Sequence, residues 1–301
     1  MAENPADLTP KGGLSAAMAA LAPEEAAWLV RVLGDPAARA AAVDDYHARS
    51  ALCRLLTDAA QRRDAAMDTD VGNVPQIIMQ YWDQGRPSAD VAALMEGWRS
   101  AHPGWDWRLF DAGSARAFLS EHCAAEAVAA FDRCTHPVMR CDLFRLLHVH
   151  AVGGVYIDAD EECLAPLGNL AGGAELAIAA RAWLHAEERE IAPDEALASG
   201  YDAGAVAYYV NNAPLCAVAR HPMLGAFATH VVARLLASPD VPRVDALTAP
   251  QHFTRALLAW MLDDDGLIAR AGTVRILPRW YGAYAREHWL DYKNTALNWR
   301  N

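Results

Sequence analysis

One run of eight residues constrains this chain more than any other: Gly153-Gly154-Val155-Tyr156-Ile157-Asp158-Ala159-Asp160. The apolar segment before it, from about Met139 to Ala151, has helical texture, and the paired glycines supply the left-handed stop that ends such a helix. Val-Tyr-Ile then reads as a buried strand, so two carboxylates fall where a strand ends. Carboxyl ends of strands in open α/β sheets are where ligands bind, which makes the position informative before any chemistry is considered.

The surrounding pattern agrees. VPQIIMQYW, a helix over Asp90 to Ala101, WDWRLFD and a helix from Ser114 toward Phe131 alternate strand with helix, which argues for an α/β layered sheet. Further on, GAVAYYV reads as a strand, and helices are expected around Met223 to Leu236 and Gln251 to Leu262. From Leu14 to about Met67 the texture is helical throughout. Trp28, Leu29, Val32 and Leu33 recur at helical spacing, and Pro23 with Glu24 and Glu25 suits a helix first turn. The turn-rich stretch from Asp68 to Pro75 separates an N-terminal helical unit, residues 1–72, from a second unit, residues 73–301.

Composition limits the partners. With 53% hydrophobic residues and a mean hydropathy of zero, 301 residues suffice for a full core. A net charge of −12 argues against a nucleic-acid or anionic-membrane partner held by bulk charge, so any anionic ligand must be held locally or through a metal. Six scattered cysteines without a Cys-x-x-Cys pair read as reduced thiols. The acidic, polar N-terminus does not resemble a secretory signal. The longest nearly uncharged stretch, Ala203 to Ala219, is broken by Asn211, Asn212 and Pro214, so no transmembrane segment is expected and the expected location is cytoplasmic, of bacterial type.

Asp158 and Asp160 can offer hard oxygen ligands to Mg²⁺ or Mn²⁺ while phosphate oxygens complete the shell. Taken alone the tripeptide reads more readily as a polar turn capped by its own side chains. Its context decides. MRCDLFRLLHVHAVGGVYIDADEECLAPL resembles the sugar-binding region of the DXD-containing glycosyltransferases, the family of the yeast-type initiating mannosyltransferases, whose core is similar to that of the clostridial glucosylating toxins. The residues in register are Asp142, Arg145, Gly153, Gly154, Tyr156, Asp158, Asp160, Glu162, Cys163, Pro166 and Leu167. VPQIIMQYW and GWRSAHPGWDWRLFD resemble the family's earlier blocks, Asn212-Ala213 with His221-Pro222 its later pair, and YAREHW its C-terminal Tyr-Ala-x-His-His-Trp. The likeness runs from about Val74 to Trp289 and leaves the N-terminal helices outside it.

The resemblance implies a GT-A fold: a nucleotide-sugar-binding mixed sheet with flanking helices over residues 73–301. It implies a nucleotide-sugar donor, with UDP-hexose favoured over GDP-mannose, a hydroxyl acceptor, Mn²⁺ or Mg²⁺, and transfer with retention of configuration. It places Asp160 on the metal, with Asp158 toward donor ribose and sugar and in reach of the metal. Asp142 and Arg145 would hold the donor from the preceding helix, Trp82 would stack on the nucleobase, and Gln80, Tyr156, Asn212 and Trp289 would line the donor site. Glu287 stands where the family has the first His of its pair, and His288 keeps the second; either would complete the metal site. Met79 replaces a family His on the first strand, and Trp299 is the one aromatic left to stand for a missing Gly-Ser-Trp.

Other readings stand beside these. Asp142 and Arg145 are also spaced as a surface ion pair worth a few tenths of a kcal/mol. Trp82 and Trp98 read as core aromatics too, the preferred reading for Trp98. His148 and His150 read as packed, hydrogen-bonded histidines, and Cys134, His136, Cys141 and His148 lack zinc-site spacing. Glu162 also reads as structural; Glu175 and the stretch from Glu187 to Glu195 read as solvated surface. As rivals to the transferase, a degenerate nucleotide-sugar-binding module keeps the charged residues without catalysis, and a Mg²⁺-dependent phosphohydrolase would want Thr or Val where Glu161 follows the second Asp.

Overall fold

The computed structural model describes residues 13–64, 73–83, 85–202, 204–238, 249–263, 270 and 272–294. Four helices open it: α1 (Gly13–Ala19), α2 (Pro23–Gly34), α3 (Pro36–Asp44) and α4 (Tyr46–Asp64). Then follow β1 (Ile77–Tyr81), α5 (Ala89–Ala101), β2 (Asp106–Phe110), α6 (Ala112–His122), α7 (Ala125–Arg133), α8 (Pro137–Val152) and β3 (Gly154–Tyr156). The remainder is β4 (Glu161–Cys163), β5 (Leu176–Leu184), β6 (Arg189–Ile191), α9 (Pro193–Ala198), β7 (Val206–Ala217), α10 (Pro222–Ala237), α11 (Pro250–Leu262), β8 (Val274–Leu277) and β9 (Ala285–Glu287).

The main sheet has the order β2-β1-β3-β7-β5-β6, with β8 also beside β5. β2, β1 and β3 run parallel, β7 runs antiparallel to both β3 and β5, and β5 runs parallel to β8. It is the mixed sheet of a GT-A-like fold, flanked by helices. Alternation along the strands feeds two cores. Met79, Tyr81, Tyr156, Ile178 and Leu215 face the helical layer, while Ile78, Val155, Ile157, Ala177 and Cys216 face Trp98, Leu167 and Trp280. Both faces are covered, which is why the strands read as continuous apolar runs rather than alternating ones. Met79 is fully buried in this core, and an apolar side chain suits the place where the resembling family carries a His.

The glycine pair ends the helix where the sequence places the stop, but not in the left-handed helical conformation expected of it: Gly153 follows α8 at φ 75° and ψ −169°, and Gly154 has φ 103°. A Cβ on Gly154 would lie 2.7 Å from the Ile77 carbonyl oxygen, so β3 reaches β1 only because no side chain stands there. In this way the two aspartates are delivered to the loop immediately after β3.

Packing corrects two expectations and adds a strand that none foresaw. The helix expected from Ser114 toward Phe131 is two, broken at Cys123 and Ala124. One straight helix of that length would span roughly 30 Å, and the break lets Phe118, Leu119, Ala127 and Phe131 all reach one core. β7 runs past Asn211, Asn212 and Pro214 as an irregularity in the ladder: it pairs with β5 up to Val210 and again from Leu215, where β3 joins it on the other side. β5, LAIAARAWL, gives no strand signal because alanine is a poor strand former, and it forms because its small side chains are buried on both faces of the sheet. The N-terminal helices share the helical-side core: Ser50 on α4 accepts from the Tyr208 amide at 2.9 Å, and Leu52, Leu55 and Leu56 are buried with Val206 and Val210. The boundary expected at residue 72 falls outside the described residues, as does Trp299.

His148 is packed, as expected, but hydrogen-bonded it is not: its ring lies among Phe110, Phe118 and Phe144, and neither nitrogen has a hydrogen-bond partner among the described residues. Burial pushes its pKa down to about 3, helped by Arg108 and His122 and opposed by Asp106. A depressed histidine contributes stability that is present above its unfolded pKa of about 6.5 and is lost as pH falls toward the folded value. Between pH 7 and pH 4.5 the wild-type protein should lose about 2 to 3 kcal/mol that His148→Leu does not lose. Urea unfolding at the two pH values measures it, and equal losses in both proteins would count against the buried neutral histidine.

Candidate active site

The loop after β3, the C-terminal end of β1, the first half of α8, β7 and the segment after β9 enclose a cleft of about 650 Å³. Its lining includes Trp82, Asp142, Arg145, Tyr156, Asp158, Asp160, Asn212, Glu287 and Trp289. Nine of the eleven expected site residues therefore come together, from segments more than 200 positions apart in the chain.

Arg145 organises one wall. Its guanidinium pairs with Asp142 at 2.7 Å and Asp158 at 3.4 Å, donates to Asn212 Oδ1 at 3.5 Å, and lies 4.2 Å over the Tyr156 ring. The Tyr156 hydroxyl in turn donates to Asp158 at 2.5 Å. Arg145 and Asp142 are 6% and 8% exposed, so this is a buried charge pair and not the surface pair that the spacing alone also allows. Burial works against the Arg145 charge, but the surrounding acidic groups overrule it and hold its pKa well above the ordinary value.

A second set of charges closes the other side. Glu287 on β9 takes Lys293 at 3.0 Å and lies 3.6 Å from Arg181 on β5, while the Lys293 ammonium also pairs with Asp160. Arg181 donates to the Tyr281 hydroxyl at 2.7 Å and pairs with Glu190 at 2.5 Å; Tyr281 donates to the fully buried Glu161 at 2.5 Å. Burial lifts the Glu161 pKa, and the neighbouring Asp158 charge adds to it. Glu190 belongs to the stretch expected to be solvated surface. The β5–β6 hairpin folds it onto the cleft wall, where it also accepts from Tyr209 at 2.6 Å.

Two expected residues do not reach the cleft lining. Gln80 is fully buried beneath it, accepting from the Trp107 indole at 3.0 Å and donating to the Asp158 backbone carbonyl at 3.4 Å, so it supports the loop that carries Asp158. His288 turns away to Glu162 at 2.9 Å, because strand alternation across β4 and β9 sends Glu287 inward and its neighbour outward. Its backbone amide still bonds the Asp160 carbonyl at 3.0 Å. Trp98 is a core residue, stacked between His102 and Trp280, with its indole donating to the Glu161 carbonyl.

Several cleft residues carry no local signal. Asp83, held by Arg140 at 2.6 and 2.7 Å and by Tyr81 at 2.6 Å, fixes the turn that presents Trp82. Arg181 comes from the alanine-rich β5, and Tyr281, Tyr292 and Lys293 from a C-terminal segment without periodicity. For Lys293 one signal is compositional: the chain has two lysines, Lys11 and Lys293, among 24 arginines.

The carboxylate chemistry fits a divalent ion. Burial raises the Asp160 pKa and the Asp158 and Glu287 charges add to this, with Lys293 pulling it down. Burial would lift Glu287 too, but Lys293 and Arg181 hold its carboxyl below the ordinary range. Among the described residues no three His, Cys, Asp or Glu side chains converge as a metal cage. Mg²⁺ and Mn²⁺ bound with a nucleotide diphosphate ask for less, using one or two carboxylates with phosphate oxygens and water for the rest.

Removing one member of a buried ion pair strands the other. Arg145→Met should destabilise the fold by about 3 to 5 kcal/mol, and Asp142→Asn in the same chain should restore part of that loss. Urea unfolding of the two single variants and the double variant gives the coupling; strictly additive losses would mean that the pair does not act as a unit.

Residues 88–178, the segment that runs from before α5 into β5, match the family described as glycosyltransferase sugar-binding region containing DXD motif. Among solved structures, the chain is similar to the PaToxG glycosyltransferase at 13% identity and a TM-score of 0.46, over 74% of this chain and 83% of that one. No curated protein matches. The matched segment contains Asp142, Arg145, Asp158 and Asp160, so the wall of the cleft built on Arg145 falls within the stretch that matches the DXD-containing sugar-binding region of glycosyltransferases, and that match supports a glycosyltransferase.

Proposed function

We propose that this glycosyltransferase is a metal-dependent, retaining hexosyltransferase of the yeast-type initiating mannosyltransferase kind. It moves a hexose from a nucleotide-sugar donor, UDP-hexose first and GDP-mannose second, to a hydroxyl acceptor. The observation that carries the reading is the meeting of Asp142, Arg145, Asp158 and Asp160 in one cleft that also holds Trp82. In this reading residues 73–301 are the GT-A domain, residues 1–72 buttress it through α4 and β7, and the enzyme works in the cytoplasm. Among the described residues no helix is long and apolar enough to cross a membrane.

Each residue has a task that follows from its place. The Trp82 ring lines the cleft where β1 ends and offers a face for the nucleobase. Asp142, locked by Arg145 and therefore fixed in direction, accepts from donor hydroxyls, and Asn212 adds an amide beside it. Asp158, held by Tyr156 and Arg145, aims at ribose and sugar. Asp160 and Asp158 would hold Mn²⁺ or Mg²⁺, with Glu287 rather than His288 as the third nearby carboxylate; the ion supplies Lewis-acid stabilisation of the departing diphosphate.

Charge development sets the mechanism. As the bond from the anomeric carbon to the phosphate oxygen breaks, positive charge grows on the sugar and negative charge on the leaving group. Arg145 is a fixed cation near the second, and Asp142 and Asp158 are fixed anions near the first. The acceptor oxygen bonds the anomeric carbon on the face the diphosphate leaves, and its proton passes to the departing phosphate oxygen. Configuration is thereby retained without an enzyme nucleophile.

A thermal-shift panel of UDP, GDP and their hexose conjugates, with and without Mn²⁺, tests this reading. A donor at a hundred times its Kd should stabilise the native chain by about 2.7 kcal/mol. We expect one nucleotide to shift the transition only with metal present, the shift and sugar transfer both to be lost in Asp160→Asn, and that variant to keep its fold. Donor binding without turnover in the wild type would point instead to the degenerate binding module. No response to any nucleotide sugar would point to the phosphohydrolase.

A further inference from the structure

The strap formed by residues 289–294 lies against the cleft around Asp160. The Tyr292 ring meets Trp82 edge-on at 5.1 Å, and its hydroxyl donates to Asp160 Oδ2 at 3.1 Å. Beside it the Lys293 ammonium bridges Asp160 and Glu287, with the Trp289 ring 5.4 Å away. The Lys293 side chain is only 11% exposed, although it belongs to a four-residue turn near the end of the chain.

We propose that Lys293 is a tethered counter-cation that fills the place between Asp160 and Glu287 until a divalent ion displaces it, so that metal entry and release of the 289–294 strap are one event. The inference rests on the metal and donor reading given above and adds to it the regulation of that site.

Three observations carry it. First, the ammonium and the expected ion need the same oxygens. Asp160 Oδ2 already receives both Lys293 and Tyr292, and it cannot give that lone-pair density to a metal while they stay. Second, the contacts are linked by sequence: Tyr292 and Lys293 are adjacent, so a strap that surrenders Lys293 also loosens Tyr292 from Asp160 and from Trp82, the ring proposed to take the nucleobase. Leu290, packed beside Val91 and Met95, remains to anchor the strap at its base. Third, the cation is of the exchangeable kind. Where this chain fixes carboxylates in place it uses arginine, as at Asp142 and Asp83, whose guanidinium forks hold direction; here, with one of only two lysines, it uses a compact charge on a flexible stem.

Two measurements test the displacement. Mn²⁺ binding, followed by the loss of the free-ion electron paramagnetic resonance signal, is compared in wild type, Lys293→Met and Asp160→Asn, first without nucleotide and then with UDP. Lys293→Met should bind Mn²⁺ at least tenfold more tightly than wild type without nucleotide. If Lys293→Met binds no more tightly while Asp160→Asn loses the ion, the metal site stands and the inference about Lys293 falls. If no form binds Mn²⁺ even with UDP, the metal reading fails and takes the inference with it. A second measurement needs no variant: acylation of the wild-type protein by an amine-reactive ester, read by mass spectrometry at Lys293 with Lys11 as the internal control. Millimolar Mn²⁺ should raise labelling of Lys293 several-fold and leave Lys11 unchanged; an unchanged rate at Lys293 overturns the displacement.

Discussion

The cleft depends on one buried guanidinium. Without Arg145, Asp142 and Asp158 would lose the one cation that pairs with both, and with it the contact that fixes their direction beside Asn212. A buried ion pair earns little net stability by itself, since desolvation offsets most of the attraction. What it gives here is direction. Its planar fork, its seat over the Tyr156 ring and its place on a helix buried almost throughout leave the acidic groups few orientations to choose from. The glycine pair at the end of α8 belongs to the same device, because β3 must approach β1 closely for Asp158 to arrive opposite Arg145.

How much of this could be read from the sequence follows from the range of the interactions. The helix stop, the buried strand and the Asp-x-Asp after it are local, and they fall where the sequence places them. Asp142 and Arg145 are three residues apart on one helix, so their meeting was legible, whereas their burial was not: it comes from β7 and β3, which lie elsewhere in the chain. β5 and the β4–β9 ribbon were illegible for a different reason. An alanine-rich strand has no propensity signal, and a three-residue ribbon has no room for periodicity. With them went Arg181, Glu190 and Tyr281, whose roles exist only once those strands pair. The tail offered two neighbours for one task, Glu287 and His288, and the choice between them is made by strand alternation against Glu161 and Glu162, a register that local sequence does not encode.

Gln80, expected to line the cleft, supports it from beneath instead. It lies on β1 next to Tyr81, whose side chain reaches the cleft, so strand alternation turns Gln80 to the opposite face. There it ties the Trp107 indole to the Asp158 carbonyl and steadies the loop after β3.

The two walls of the cleft solve opposite problems. In the proposed reaction the acidic groups beside Arg145 keep one set of partners, a task that suits a cation with five donors locked by its surroundings. Around Asp160 and Glu287, by the same proposal, the charge to be balanced varies with each turnover, rising when a diphosphate arrives and falling when it leaves. A fixed guanidinium there would bar the metal, and no cation at all would leave carboxylates repelling one another in a buried site, as the raised Asp160 pKa already records. A lysine on a short strap meets both demands. It lowers the cost of ionised Asp160 in the empty enzyme, and it carries Tyr292 with it when the donor's own cation takes over. An exchangeable charge on a short turn and a permanent one in the middle of a helix make one wall of the same cleft yielding and the other rigid.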